Sequence, residues 1–119
     1  MASNLYNLSQ DTKEMKDKRL AHLRQLLQAD PNDPFLHYAI GIEHFNSEDF
    51  ELANQSFQDV VDRFPDYIPT YYQFALTKVH LGEVENAIEL LNKGIPLAQK
   101  AGERKTANEL AMLLEDLED

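Results

Sequence analysis

The chain repeats itself at an interval of 34 residues. Ile40-Gly41 recurs as Phe74-Ala75, and Ala53 recurs as Ala87. A fixed period of this length predicts a protein built from one small unit used again and again, because each unit can bury its apolar face only on a neighbour. Other pairs at the same spacing are Pro31 and Pro65, His37 and Tyr71, Phe50 and Val84, and Phe57 and Leu91.

Apolar residues follow the helical period, and no strand-like alternation persists anywhere. We therefore predict an all-α fold of about six helices. The expected spans are about 12–29, 34–45, 48–63, a fourth helix ending near residue 80, a fifth starting near 83, and 103–117. With no linker and no low-complexity segment, residues 1–119 are predicted to form a single domain.

Helix ends carry local signals. Asp11 has Glu14 three residues later and is expected to start the first helix as a capping box. Asp33 and Asp66 are the expected N-caps of the second and fourth helices. Pro96 lies inside the apolar pattern of the fifth helix and removes one backbone hydrogen bond, so that helix should kink or break near Gly94.

Composition restricts the chemistry and the expected compartment. The chain contains no cysteine, which excludes disulfides, thiolate zinc sites and cysteine nucleophiles. Its N-terminus lacks a basic patch followed by an apolar run, and no stretch approaches the roughly 18 apolar residues of a membrane span. We expect a cytoplasmic protein that is not associated with a membrane.

The chain is acidic, with a net charge of −10, and the charge is unevenly placed. Residues 33–66 hold eight acidic residues and one basic residue, and residues 103–119 hold six acidic and two basic residues. Phosphate backbones would be repelled, so nucleic acid is not an expected partner. The acidity either keeps the protein soluble or attracts a basic partner.

Candidate catalytic or metal-binding residues are few. His37 and His44 share a helix face but are seven residues apart, about 10 Å along the axis, which is too far for one metal ion. Glu43-His44 lacks the spacing of a zinc-protease helix. Glycine-rich phosphate loops and nucleophile elbows are absent from the sequence. We expect no catalysis, no metal and no cofactor.

The repeated pattern resembles the tetratricopeptide repeat, a helical hairpin with the pattern W-x₂-L-G-x₂-Y…A-x₃-F…P. Two copies are recognisable, at residues 34–67 and 68–102, where Lys78 replaces the second aromatic of the second copy and His37 and His44 replace both aromatics of the first. The residues that carry the resemblance are Ile40, Gly41, Ala53, Phe57 and Pro65 in the first copy, and Tyr71, Phe74, Ala75, Ala87 and Leu91 in the second.

The flanking segments resemble half repeats. Leu23, Leu26 and Pro31 stand 34 residues before Phe57, Val60 and Pro65, so residues 12–32 are similar to the second helix of a repeat, although Arg19 replaces its alanine. Residues 103–119 resemble the first helix of a third repeat. The resemblance implies a right-handed solenoid with two full repeats and a flanking helix at each end. More specifically, the chain resembles short stand-alone bacterial proteins of this family.

In this family the first helix of each repeat lines a concave face, and the resemblance implies a protein or peptide partner there. Chaperone-binding members grip a peptide carboxylate with Lys, Arg and Asn, but Tyr38, Ile42, Tyr72 and Leu76 occupy those places here, so that clamp is absent. The implied groove residues are Phe35, Tyr38, Ile42, Phe45, Pro69, Tyr72, Gln73, Leu76, Val79, His80, Asn108 and Met112.

Three roles are open for this apolar, tyrosine-containing stripe. The flanking helices could fold over it and make it core. It could bind an apolar helix or an extended peptide, since tyrosines offer contact area together with a hydrogen bond. A second copy could cover it, making a homodimer. We predict a non-catalytic interaction scaffold that uses the groove, with the self-associating protein as the alternative.

Overall fold

The computed structural model describes the backbone of residues 2–119 and the side chains of residues 12–119. Over this range the chain consists of helices and turns without strands, which confirms the predicted all-α helical-repeat solenoid. The six helices are α1 (Ala2–Ala29), α2 (Pro34–Asn46), α3 (Phe50–Arg63), α4 (Pro69–His80), α5 (Val84–Lys100) and α6 (Arg104–Glu118).

Each helix packs mainly on its neighbours in sequence. Helices α2 and α3 form one hairpin and α4 and α5 form a second, with α3 against α4 between them. Helix α1 packs on α2 at one end, and α6 packs on α5 at the other. Helices α2 and α4 also touch, so the first helices of the two hairpins lie side by side on one face of the array.

Three turns share one backbone conformation. Glu48, Gly82 and Gly102 have φ values of 61°, 78° and 75°, and each immediately precedes the residue before a new helix. Left-handed φ costs a residue with a side chain about 1–2 kcal/mol, and glycine adopts it freely. The predicted turn at Gly82 is therefore confirmed, and Glu48 accepts the same turn without the freedom of a glycine.

Two predicted helix starts are wrong. Helix α1 begins at Ala2 rather than near residue 12, because residues 2–29 contain neither glycine nor proline to stop it; the side chain of Asp11, and with it the expected capping box, lies outside the described residues. Helix α4 has Ile68 at its N-cap, since Asp66 lies in the preceding turn. Asp33 does cap α2, accepting a 2.9 Å hydrogen bond from the Phe35 amide.

Helix α5 runs without interruption through Pro96, so the break considered near Gly94 does not occur. Packing explains the continuity. Gly94 is buried, and a Cβ atom there would lie 2.8 Å from the Cβ of Tyr71 and 3.3 Å from a methyl carbon of Leu110. Close contact with α4 on one side and α6 on the other holds this part of α5 in the core.

The core runs along the array. Phe57, Phe74, Leu91 and Leu110 are fully buried side chains, one from each of α3, α4, α5 and α6. Small residues sit between them where helices cross. The register residues Ala53, Ala75 and Ala87 are 0% exposed, as the repeat pattern predicts for closely approaching helices.

Helix α1 is fastened to the first hairpin by charge and by one apolar anchor. Lys16 pairs with Asp49 at 2.6 Å, and Arg19 pairs with Glu43 at 2.7 Å. Leu20 is buried beside them. His44 of α2 lies in the same region with 7% of its surface exposed, and its Nδ1 atom has no hydrogen-bond partner among the described residues.

Burial lowers the pKa of His44, and the positive charges of Lys16 and Arg24 on α1 lower it further, while Asp49 and Glu43 act in the opposite direction. The fold thus favours neutral His44. Below its ordinary pKa of 6.5 the unfolded chain binds the proton more readily, so this contribution to stability is present above that pH and is lost as the pH falls.

We therefore expect a His44→Phe variant to lose less stability than the wild type between about pH 7.5 and about pH 5. Comparing the two chains matters because protonation of other groups acts on both. Urea denaturation at each pH, followed by circular dichroism, measures the difference. Parallel pH profiles for the two proteins would contradict the assignment. The pKa of Asp49 is lowered by the Lys16 hydrogen bond, so this carboxylate takes up a proton only near or below its ordinary pKa of 3.8 and stays charged between about pH 7.5 and about pH 5.

Candidate functional site

Helices α2, α4 and α6, the first helices of the repeats, lie on one face of the array, where residues of all three line a shared groove. Gly41 and Ala75 turn toward the second helix of each hairpin and are buried there. Residues three positions earlier, Tyr38 and Tyr72, are half-buried and border the open face. Asn108 has the same register position on α6 and is exposed.

One groove lies between α1 and α2 and has a volume of about 360 Å³. Its interior is largely apolar, and the ion pair between Arg19 and Glu43 stands at its edge. Phe35 remains 55% exposed at this groove, so it offers apolar area that the fold does not use. The groove is lined by Arg19, His22, Leu23, Phe35, Tyr38, Ala39, Ile42 and Glu43.

A second groove, of about 230 Å³, lies between α4 and α6. Two carboxylates, Glu103 and Glu109, line it, and no lysine or arginine does so among the described side chains. A cation would be favoured beside them. The lining residues are Tyr38, Ile68, Pro69, Tyr72, Gln73, Glu103, Thr106 and Glu109.

Tyr38 belongs to both grooves. Its ring centroid is 5.9 Å from that of Phe57 in the core and 5.6 Å from that of Tyr67 in the turn before α4. Burial raises the pKa of Tyr38, and neighbouring Tyr67 adds to the effect, so the phenol stays neutral. The Tyr38 side chain is thus held in place by aromatic contacts and lines both the apolar groove and the groove bordered by carboxylates.

The predicted groove residues divide into groups. Phe35, Tyr38 and Ile42 come together in the α1–α2 groove, and Tyr38 meets Pro69, Tyr72 and Gln73 in the α4–α6 groove. The remaining predicted residues line neither groove. Leu76 and Val79 are half-buried, Asn108 and Met112 are exposed, and Phe45 and His80 take part in an aromatic cluster.

That aromatic cluster closes the far end of the first helices. The His80 ring stacks on Phe50 with centroids 4.2 Å apart and planes 6° apart, and Phe45 meets both rings edge-on at 5.6 Å and 5.4 Å. The three rings are already occupied with one another. Phe45 and His80 therefore tie α2, α3 and α4 together at this end.

Sequence reasoning missed the contributions of α1 and of the helix ends. Leu23 was recognised as a repeat position but not as a groove residue, and Arg19 and His22 were not placed there at all. Ile68, Glu103, Thr106 and Glu109 were also missed. For Glu109 a signal existed, since it has the register position of Gln73.

Over residues 12–119, no group of three or more histidine, aspartate or glutamate side chains is arranged to hold a metal ion. Among the described helices, none combines the length and apolar character needed to cross a membrane.

Stacked helical hairpins whose first helices share one face define a helical-repeat domain. The model of the tetratricopeptide repeat matches residues 68–100. A tetratricopeptide repeat domain protein from Salinibacter ruber is 32% identical over 75% of this chain and 90% of its own, with a TM-score of 0.70 in its solution structure. The crystal structure of a tetratricopeptide repeat domain protein from the same organism is 31% identical over 72% of this chain and 96% of its own, with a TM-score of 0.69. The chain belongs to the tetratricopeptide repeat family.

A more distant structure shares the fold over nearly the whole chain. The TPR2B domain of yeast Sti1, solved in its complex with pHsp70, has a TM-score of 0.80 and covers 98% of this chain and 94% of its own, at 14% identity. At that identity the likeness concerns the fold alone. A comparison with curated proteins gave no match.

Proposed function

We propose that the protein is a non-catalytic interaction scaffold that binds a segment of another protein along its concave face. Tyr38 carries the proposal, because it joins the apolar α1–α2 groove to the α4–α6 groove, where Glu103 and Glu109 lie. A segment crossing Tyr38 would place an apolar side chain in the first groove and a basic group beside the second.

The apolar half of the binding energy would come from the α1–α2 groove. Phe35 is 55% exposed, and Leu23 and Ile42 are half-buried, so a partner can still remove apolar surface from water. Burial is worth about 25 cal/mol per Å². Tyr38 and Tyr72 add large, stiff side chains of the kind that dominate binding energy at protein interfaces.

Charge would select the partner. The chain carries a net charge of −10, and Glu103 and Glu109 border the second groove. Attraction between opposite charges speeds the encounter with a basic segment and weakens as salt is added, whereas an acidic segment would be repelled. A segment with apolar residues followed by lysine or arginine fits both grooves.

Solved relatives of the fold support a scaffold in general terms. The Sti1 domain was solved with pHsp70, and PcrH was solved with the chaperone-binding region of PopD. PcrH is 18% identical to this chain, so neither structure identifies a partner here. The residues at the family's carboxylate-clamp positions, which include Tyr38 and Tyr72, favour apolar contacts over a gripped carboxylate.

Selection from a random peptide library on the immobilised chain tests the proposal. We expect enriched peptides to combine apolar residues with lysine or arginine. A Phe35→Ser/Tyr72→Ser variant should bind them at least about 10-fold more weakly, a difference of about 1.4 kcal/mol. Leu52→Ser is the matched control, since Leu52 is 45% exposed on α3 and lines neither groove.

Two results would contradict this function. Enrichment of acidic peptides would reject the charge argument, and equal binding by the groove variant and the Leu52→Ser control would reject the groove. Circular dichroism confirms that both variants remain folded before binding is compared.

The alternative is a homodimer that buries the same concave face, favoured by the exposed apolar side chains Phe35 and Met112. In that case the groove variant Phe35→Ser/Tyr72→Ser would convert a dimer to a monomer. A wild-type mass of 13.7 kDa at tens of micromolar would exclude this dimer.

A further inference from the structure

Helix α6 presents an uncovered face. In both hairpins the first helix turns a small residue into its partner helix, Gly41 in α2 and Ala75 in α4, and both are buried. Ala111 has the same register position in α6, 36 residues after Ala75, but it is exposed. No described helix lies where the second helix of this repeat would pack.

Helix α1 presents the complementary uncovered face. Ala53, Phe57 and Val60 of α3 are 0% exposed because α2 and the rest of the core cover them. The residues 34 positions earlier are open: the Arg19 side chain is 50% exposed, Leu23 is half-buried, and Leu26 is 42% exposed. Helix α1 thus resembles a second helix whose first helix is not among the described residues.

We infer that α6 of one copy docks on α1 of a second copy as the first helix of a repeat docks on its second. The joint would complete one repeat from two half repeats. Each copy carries one face of each kind, so the same contact can form at both ends of every molecule.

The contacts within the hairpins show how the two faces would meet. In the first hairpin Gly41 lies against the Phe57 ring, and the equivalent pair across the joint is Ala111 with Leu23. In the second hairpin Gly94 lies against Tyr71, and the equivalent positions are Leu26 and Ala107, of which Ala107 is 7% exposed and already packed in the core of its own copy. Each pair sets a small residue against a large one, as in the folded hairpins.

Two further pairs match in chemistry. Lys78 and Glu83 form an ion pair at 3.3 Å across the second hairpin, and their counterparts are two apolar residues, Leu114 and Met15. This pairing would cover Met15, which is 57% exposed on α1. The ring contact of Phe45 with Phe50 has its counterpart in Glu115 and Lys16, which are oppositely charged; Lys16 is paired with Asp49 within its own copy and would be shared between the two carboxylates.

The charges on the two helices suit the antiparallel arrangement of such a hairpin. The end of α6 carries Glu115, Asp116 and Glu118, and it would run beside residues 13–19 of α1, which hold four basic and two acidic residues. Two of these basic residues, Lys16 and Arg19, already pair with carboxylates of the first hairpin, and Lys13 and Lys18 are exposed. Opposite charges on the two faces favour joining unlike ends and oppose joining two α6 faces. This complementarity identifies a second copy as the occupant.

Such a joint is heterologous, so it leaves an unused α1 at one end and an unused α6 at the other. Association therefore continues beyond the dimer. The first helices stay in one row across the joint, and α6 of one copy extends the concave face of the next. The contact leaves Tyr72 and the α4–α6 groove free, but it uses Leu23 of the α1–α2 groove, so a peptide in that groove would compete with the joint.

Sedimentation and light scattering of the wild-type chain test this association first. The weight-average mass should rise with concentration, between about 10 µM and about 500 µM, past twice 13.7 kDa. A Tyr72→Ser variant should behave in the same way. A constant 13.7 kDa, or a rise that stops at the dimer, would overturn the proposal.

Mixing two blocked variants tests the direction of the contact. Met15→Glu/Leu26→Lys blocks the α1 face, and Ala111→Arg blocks the α6 face; all three positions are exposed, so the fold should survive. Each variant alone should remain at 13.7 kDa, and an equimolar mixture should form a 1:1 dimer through the two intact faces.

The mixture separates this joint from a symmetric dimer. A symmetric contact through one of these faces would persist in the variant that retains that face, and mixing would add nothing. Either persistence in a single variant or a mixture that stays monomeric, with both chains folded by circular dichroism, would overturn the head-to-tail joint.

Discussion

Replacing Phe57 by alanine should lower the free energy of unfolding by about 3–5 kcal/mol. Phe57 is 0% exposed, and its ring contacts Tyr38 and Phe74 with centroid distances of 5.9 and 6.1 Å. The ring therefore links α3 to the first helices of both repeats. Its removal would leave a cavity that three well-packed helices can close only in part.

Urea denaturation followed by circular dichroism measures this loss. Domains of this size are stable by about 5–15 kcal/mol, so the loss is a large fraction of the total stability and is readily measured. Phe35→Ala is the matched control, because Phe35 is 55% exposed and should change stability by less than about 0.5 kcal/mol. Similar losses in the two variants would show that Phe57 is not the centre of the core.

The fold could be predicted from the sequence because the same residue types recur 34 positions apart, so a helix or turn assigned in one repeat could be checked against the other. The spacing of Ala53 and Ala87 fixed the two second helices, and both residues are fully buried. Asp33 followed by proline marked a true helix start, and Gly82 marked a true turn. At these positions the local signal and the repeat register gave the same prediction, and the prediction was correct.

Errors occurred where one local signal stood alone. Asp11 resembled a helix start, but a capping residue does not end the helix before it, and α1 continues back to Ala2. Asp66 is followed by a proline three residues later, but Asp66 itself lies in the turn that precedes the N-cap residue Ile68. Pro96 suggested a break, yet the contacts of Gly94 on both sides keep α5 continuous.

The groove residues were harder to predict than the core because register gives a residue's face but not its neighbours. The positions of Phe35, Tyr38 and Tyr72 followed from register alone. Whether Phe45 would face a ligand or Phe50 depended on a second helix, and the structure places it against Phe50. The role of α1 in the first groove depended on a crossing that no repeat pattern specifies.

Replacing Gly41 by alanine should lower the free energy of unfolding by about 1–3 kcal/mol, although alanine favours helices over glycine by about 1 kcal/mol. The reason is contact with the core. A Cβ atom on Gly41 would lie 2.5 and 2.7 Å from two ring carbons of Phe57, which is fully buried and has no room to withdraw. Helices α2 and α3 would have to separate.

The second repeat supplies the matching rescue. There the equivalent pair is Ala75 with Leu91, both 0% exposed, so a larger residue on the first helix accompanies a smaller one on the second. In a Phe57→Leu background, Gly41→Ala should therefore become neutral or stabilise the protein by up to about 1 kcal/mol.

Denaturation of the wild type, both single variants and the double variant completes a double-mutant cycle. We expect a favourable coupling between the two substitutions of more than about 1 kcal/mol, since the residues are in direct contact. Additive effects would mean that Gly41 is needed for a reason other than the Phe57 ring. The repeat register that relates Gly41 to Ala75 would then fail as an explanation of how these helices approach each other.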